Sequence, residues 1–386
     1  MITTTLRLIR KNFSFLLSAE VAIRAMMLIL TIFLARQYGT EKFGIYALAL
    51  SIGNLFEIIF NLGLGTVFMQ RVAGTGKDIS TRMTEQLKIF LPLRILLSLL
   101  SLVLFIIFAA ALQKNTETFI SLILAGFYFS LFSVESFLWS CFDARQKMHF
   151  TSATKLLKYA VIFSLGMFFV FREGPVYYLL FAYIAGVSVA IVSTIILIAR
   201  YFTRIGWSLD LKAWGGIIRE GWPITLSGAF IFIYNSLDTI IISVIKGEQA
   251  VGLYQVSYKI IGTIFILSAL INQAYLPSLI QSAEKDKTAL RDIFGVAVKS
   301  VFFWSLPITF GGLFLAERII LFIFGPEYLA GVPAFRILIW NCIIFFLSAA
   351  APLNFLRVQN FTAARPNGKP SVVTARLECI RMPQSV

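Results

Sequence analysis

Few side chains in this sequence can do chemistry, and most of those stand inside long apolar runs. Glu20 and Arg24 are four positions apart, so on a helix they share a face and can pair. A charge at mid-bilayer costs about 2.5–3.5 kcal/mol on insertion scales, so each one needs a reason. Either this pair is neutralised within its own helix, or Arg24 faces a central cavity and binds an anion. Asn54, Glu57 and Asn61 fall within about 60° of one another on a helical wheel, a stripe that either lines water or joins helices by hydrogen bonds. Tyr128 and Glu135 share a face in the same way and pose the same choice. Later in the chain come Asn235 and Asp238, then Gln255, Lys259 and Thr263 at four-residue spacing. Asp238 and Lys259 stand on consecutive helices at different depths, which leaves a direct ion pair open. Arg94 and Arg336 lie near the starts of apolar runs, where the expectation is that they snorkel to headgroups.

None of these groups forms an enzyme constellation. His149 is the only histidine and falls in a loop, so a His-dependent base or metal cluster is not available. There is no G-x-x-x-x-G-K-[ST] loop, which argues against a self-contained ATPase. Cys141, Cys342 and Cys379 are scattered and are expected as free thiols. No cofactor, metal or catalytic residue is expected.

The elements that must position these residues are membrane helices. With 58% hydrophobic and 14% charged residues and a mean hydropathy of +0.84, the chain is too apolar for a soluble domain of its length. Runs near the roughly 20 residues needed to span a bilayer occur at 13–35, 45–68, 89–112, 118–141, 153–171, 177–199, 222–245, 251–275, 294–316 and 334–356. Open strands would leave backbone groups unpaired in lipid, so the fold class is an all-α integral membrane protein with about ten transmembrane helices. The net charge of +15 concentrates in alternate loops, around Arg10, Arg82, Arg145, Lys155, Lys158, Arg204 and Lys285, while the other loops hold only Arg36, Lys42, Lys114, Arg172, Lys246 and Arg318. That alternation explains the charge as topology, with the first set and the N-terminus cytoplasmic, and makes a nucleic-acid partner unnecessary. Thr75 to Lys88 and Trp207 to Trp222 read as interfacial helices, the latter anchored by Trp207, Trp214 and Trp222.

Two segments repeat. Sliding the chain by about 208 positions lays Gly39, Gly44 and Tyr46 over Gly247, Gly252 and Tyr254, and both copies read G-x-x-x-x-G-x-Y between apolar runs. Both copies begin inside and turn outside, so the repeats are parallel. The expected organisation is a six-helix bundle at 1–200, a cytoplasmic amphipathic linker at 201–221, a second bundle of four helices at 222–358 and a disordered tail at 359–386. With four helices where the first bundle has six, the second bundle is incomplete, and a truncation or frame shift near Gln359 is expected.

The segments RKNFSFLL, ARQYGTEKFGIYALALSI, NSLDTIIISVIKGEQAVGLYQVSYKI and LFIFGPEYLAGVPAFRILIW together resemble the Wzx-type O-antigen flippases. These are bacterial polysaccharide-biosynthesis transporters of the MOP superfamily, with MATE exporters and lipid II flippases as relatives. The resemblance runs from Leu6 to Arg357. It implies two helical bundles of MATE-like architecture that alternate between inward and outward openings in the bacterial inner membrane. The implied cargo is a polyprenyl-diphosphate-linked oligosaccharide, with membrane lipids and other polysaccharide-assembly membrane proteins as the expected surroundings. A diphosphate is anionic and a sugar is a dense set of hydroxyls, so such a carrier needs buried cations together with amides and carboxylates. Arg24 and Lys259 can supply the cations; Asn54, Glu57, Asn61, Asn235, Asp238 and Gln255 can supply the rest. A MATE-type cation or drug antiporter is the first rival, kept open by Glu57, Glu135 and Asp238. A membrane enzyme acting on lipid-linked glycans is the second, disfavoured by short outer loops without histidine or paired acids.

Overall fold

The computed structural model describes residues 2–73, 78–112, 114–202, 206–265 and 287–350. The described residues are helical almost throughout. In chain order the helices are α1 (Ile2–Asn61), α2 (Leu64–Ala73), α3 (Ile79–Ala111), α4 (Thr116–Ala144), α5 (Met148–Phe171), α6 (Tyr178–Tyr201) and α7 (Leu211–Lys246). They continue with α8 (248–265), α9 (Lys287–Phe324), a short 3-10 helix (Pro326–Gly331), α10 (Val332–Leu338) and α11 (Asn341–Ala350). Side-chain caps start three of them: Asp78 accepts from Ser80 N at 3.0 Å, Asn115 from Thr118 N at 2.8 Å and Asp210 from Ala213 N at 3.0 Å. Seven described helices are long and apolar enough to cross a membrane. The first, Ser18–Ile58, has 41 residues, length enough for two passes. The protein is a multi-pass, all-α membrane protein.

Two expected interfacial helices are absent as separate elements. Residues 79–88 are the first turns of α3, and residues 211–221 are continuous with the rest of α7 through Pro223. Trp214 is buried and donates to Ile89 O at 3.1 Å, so it packs inward and does not act as a headgroup anchor; Trp207 and Trp222 are exposed.

The described residues fall into two compact units, divided after Gly252. In the first, α1 bends at Gly39, whose φ of 73° and ψ of −177° belong to a region nearly closed to other residues. Gly247, its counterpart in the repeat, has φ 81° and ψ −178°. Five residues beyond each turn the chain makes a reciprocal contact. A Cβ on Gly44 would strike the carbonyl of Glu248, and a Cβ on Gly252 would strike the carbonyl of Thr40. Each glycine thus seats against the carbonyl one helical turn before the other, so the two copies pack about a local two-fold axis. Lys114 Nζ lies 2.9 Å from Glu248 Oε1 at the same end.

The opposite end of this unit is held by a cluster that includes Phe68, Phe90, Phe137, Phe142 and Trp214. Phe68 meets Phe90 and Phe137 edge-on with centroids 5.7 and 5.4 Å away. In the second unit Gly325, at φ 101°, ends α9, and Gly331 abuts the carbonyl of Leu253. Ser257 Oγ donates to Gly331 O at 3.4 Å, and Phe265 stacks on Phe345 at 3.7 Å.

Candidate functional site

The expected second span, 45–68, is broken. After Asn61 the backbone turns through Leu62 (φ 50°) and Gly63 (φ 57°) before α2 begins. A helix end inside a membrane protein leaves carbonyls without intrahelical partners. Arg94 supplies the donors. Its side chain is fully buried, with Nη1 donating to Phe60 O at 3.1 Å, Nε to Ser133 O at 2.7 Å and Nη2 reaching Glu57 Oε1 at 3.5 Å. Arg94 therefore does not snorkel. It stands at the seam of α1, α3 and α4, a position that suits a buried guanidinium only because three acceptors converge there.

Glu57 in turn accepts from Asn61 Nδ2 at 3.0 Å. The polar stripe of α1 thus divides by role. Glu57 joins helices, while Asn54 and Asn61 line a cleft of about 570 Å3 around the break. Its walls come from the end of α1, the start of α2, the last turns of α4 and α7 near Ile224. Thr66, Ser136, Ser140, Asp143 and Thr225 add their polar groups to it. A Cβ on Gly65 would meet Ser140 Oγ, so the glycine leaves space for that hydroxyl. Its volume lies within the roughly 300–1,000 Å3 typical of small-molecule sites.

A second buried pair lies in the same unit. Lys158 Nζ donates to Glu135 Oε2 at 2.8 Å, with both side chains inaccessible to solvent. The ammonium also lies 4.4 Å from the Phe132 ring centroid and 4.6 Å from that of Trp139. Lys158, grouped above with the cytoplasmic loop cations, is an interior residue of α5. Tyr128, on the Glu135 face, is buried against Tyr183, which shares a 2.6 Å hydrogen bond with Tyr46. This face joins helices.

The other candidate residues are not gathered at the cleft. Arg24 is half exposed and pairs with Glu20 at 3.1 Å, the i,i+4 geometry its spacing suggests. Asp238 accepts from Thr239 N at 2.7 Å. The side chain of Asn235 lies outside the described residues, as do residues 266–286 and the tail at 359–386. Gln255 is buried and Lys259 exposed, both in the second unit. Arg336 is exposed and pairs with Glu317 at 3.0 Å. Cys141 and Cys342 are free and buried; Cys379 lies outside the described residues.

Residues 9–283 match the family described as polysaccharide biosynthesis protein. A Shigella flexneri protein named "Putative O-antigen transporter" is 25% identical over 364 residues, covering 91% of this chain and 82% of that protein. Among solved structures, the lipid II flippase MurJ in an inward closed conformation superposes with a TM-score of 0.71 at 14% identity, over 89% of this chain and 76% of that one. An inward-facing multidrug resistance MATE transporter of the MOP superfamily gives 0.61 at 15% identity, over 93% and 84%. At these identities the structural likenesses establish the fold.

Proposed function

This chain belongs to the polysaccharide biosynthesis protein family, and from that premise we propose that it flips a polyprenyl-diphosphate-linked oligosaccharide across the bacterial inner membrane. The observation that carries this reading is the cleft at the broken helix, walled by amides and hydroxyls inside a MurJ-like fold. Discontinuous helices near the membrane interior are where transporters of several folds bind their cargo. The sugar would enter the protein while the polyprenyl tail stays in lipid. In this reading Arg24 and Lys259 hold the diphosphate, and Asp238 restrains a cation when the cavity is empty. Asn235 and Gln255 add hydrogen bonds. Bundles at 1–200 and 222–358, joined through 201–221, alternate around the cargo with the N-terminus cytoplasmic. The protein translocates its substrate without changing it chemically.

A cation antiporter is less well supported. Both buried carboxylates of the first unit, Glu57 and Glu135, are matched by Arg94 and Lys158. The test is flipping of a fluorescent polyprenyl-diphosphate oligosaccharide in reconstituted vesicles, read by loss of signal to an impermeant quencher. Wild-type protein should expose the inner-leaflet pool, and the Arg24→Ala, Lys259→Ala double variant should not. Normal flipping by the double variant would remove both cations from the site. A wild-type protein that flips nothing but exchanges a cationic drug for protons or sodium would replace the whole assignment.

A further inference from the structure

The chemistry of the cleft is one-sided. Among the described residues that line it are two amides, four hydroxyls and one carboxylate, and no lysine or arginine. Arg71, on α2, is held by Glu220 at 2.8 Å, and Arg94 is held by Glu57 and two carbonyls. A diphosphate in this cleft would face the Asp143 carboxylate in surroundings that strengthen the repulsion; Lys155, the cation that acts on that carboxylate, is not among the lining residues and lies over the Trp139 ring at 4.9 Å. A sugar would find both donors and acceptors, together with the Phe137 ring as an apolar wall. Asn61 has its nitrogen committed to Glu57, so its oxygen remains to accept from a hydroxyl.

We propose that this cleft is the glycan subsite, that it takes a neutral or amino-bearing sugar end and rejects both the diphosphate and acidic sugars, and that Arg94 is its positioning residue. The assignment rests on the flippase reading above and divides the cargo between separate places. Arg94 acts on both walls without lining either. Through Glu57 it sets Asn61 on α1, and it shares the Ser133 carbonyl with Ser136 Oγ, which donates there at 2.9 Å. Asp143 is oriented by Thr151 Oγ1 at 3.1 Å, which leaves its other oxygen for a ligand hydroxyl or amine.

The test places a single cysteine at Met69, with Cys141, Cys342 and Cys379 replaced by serine, and follows maleimide labelling in proteoliposomes. The probes are oligosaccharides released by mild acid from the source strain's own polyprenyl-diphosphate lipids, and inorganic diphosphate. Oligosaccharide should slow labelling fivefold or more, and diphosphate should leave it unchanged. Asn61→Leu should raise the concentration for half-protection about tenfold, the equivalent of one good hydrogen bond. Arg94→Gln should do the same in the monodisperse fraction, and Arg94→Lys should restore part of the loss. Asp143→Asn should admit acidic oligosaccharides that the wild-type cleft refuses. Where Met69→Cys does not fold, Thr66→Cys reports the same cleft. Protection by diphosphate alone would overturn the assignment, as would protection by neither probe. If the same vesicles still flip the labelled lipid, the flippase reading survives that loss. Protection by oligosaccharide in vesicles that flip nothing would support the subsite and count against the flippase reading.

Discussion

At one end of the first unit, Gly44 and Gly252 bring two helices into backbone contact; at the other, Gly63 and Gly221 set the break close against α7, and Gly65 leaves room for a hydroxyl at the cleft. The same absent side chain serves both ends. In the crossing, each missing Cβ is replaced by a carbonyl of the partner helix, so the space is already filled. At the break, Gly63 permits a positive φ and Gly65 gives way to the Ser140 hydroxyl, a small, rotatable group. Gly44 and Gly65 should therefore respond to substitution in opposite ways, one through stability and the other through transport.

The largest effect should come from Arg94, which supports the open end. Arg94→Leu leaves Glu57 buried without its guanidinium and removes a donor from the Phe60 and Ser133 carbonyls, and should cost about 3–5 kcal/mol in thermal unfolding in detergent. The Arg94→Met, Glu57→Met double variant should recover most of that loss, and no recovery would show that the carbonyl contacts dominate. Next comes the sealed end. Gly44→Ala and Gly252→Ala drive a Cβ into a backbone carbonyl and should each cost about 1–3 kcal/mol, read as lower yield and melting temperature. An unchanged melting temperature would mean that the crossing opens readily and is no seal. Gly65→Ala should leave stability level or raise it by about 0.5–1 kcal/mol, because alanine favours helix, while flipping falls. That split between melting temperature and transport is the sharpest contrast with Gly44. Smallest of all, Lys114→Ala removes a partly exposed pair with Glu248 and should change stability by about 1 kcal/mol or less.

Much of this arrangement was legible in the sequence, and the gaps have physical causes. The repeat was visible because a glycine-only backbone conformation and a close helix crossing both demand fixed residue types at fixed spacing. Gly39 and Gly247 indeed adopt nearly the same φ and ψ. The Glu20–Arg24 pair was visible because it lies within one helix. Arg94 and Lys158 were misplaced because their partners stand on other helices, beyond the reach of a single helical wheel. A signal did exist: antiparallel helices bring residues equidistant from a turn to one depth. Gln146 and Lys147 lie midway between Glu135 and Lys158, and residues 75 and 76 lie midway between Glu57 and Arg94. The break at Leu62–Gly63 was hidden in an unbroken apolar run, since hydropathy reports lipid compatibility and is blind to φ. The cleft depends on that break, so Ser136, Ser140 and Asp143 could not be joined to Asn54 and Asn61 beforehand.

The Glu135–Lys158 pair also constrains how the chain is made. Either charge alone would cost about 2.5–3.5 kcal/mol to release into lipid, and the pair removes that cost only when both are present. The two residues are 23 apart in the chain, so at about 5–20 residues per second the lysine leaves the ribosome roughly one to five seconds after the glutamate. That lag favours entry of α4 and α5 into the bilayer as one hairpin over entry of α4 alone. Until α5 has followed α4 out of the ribosome the Glu135 charge has no partner, and once both helices are out it has one.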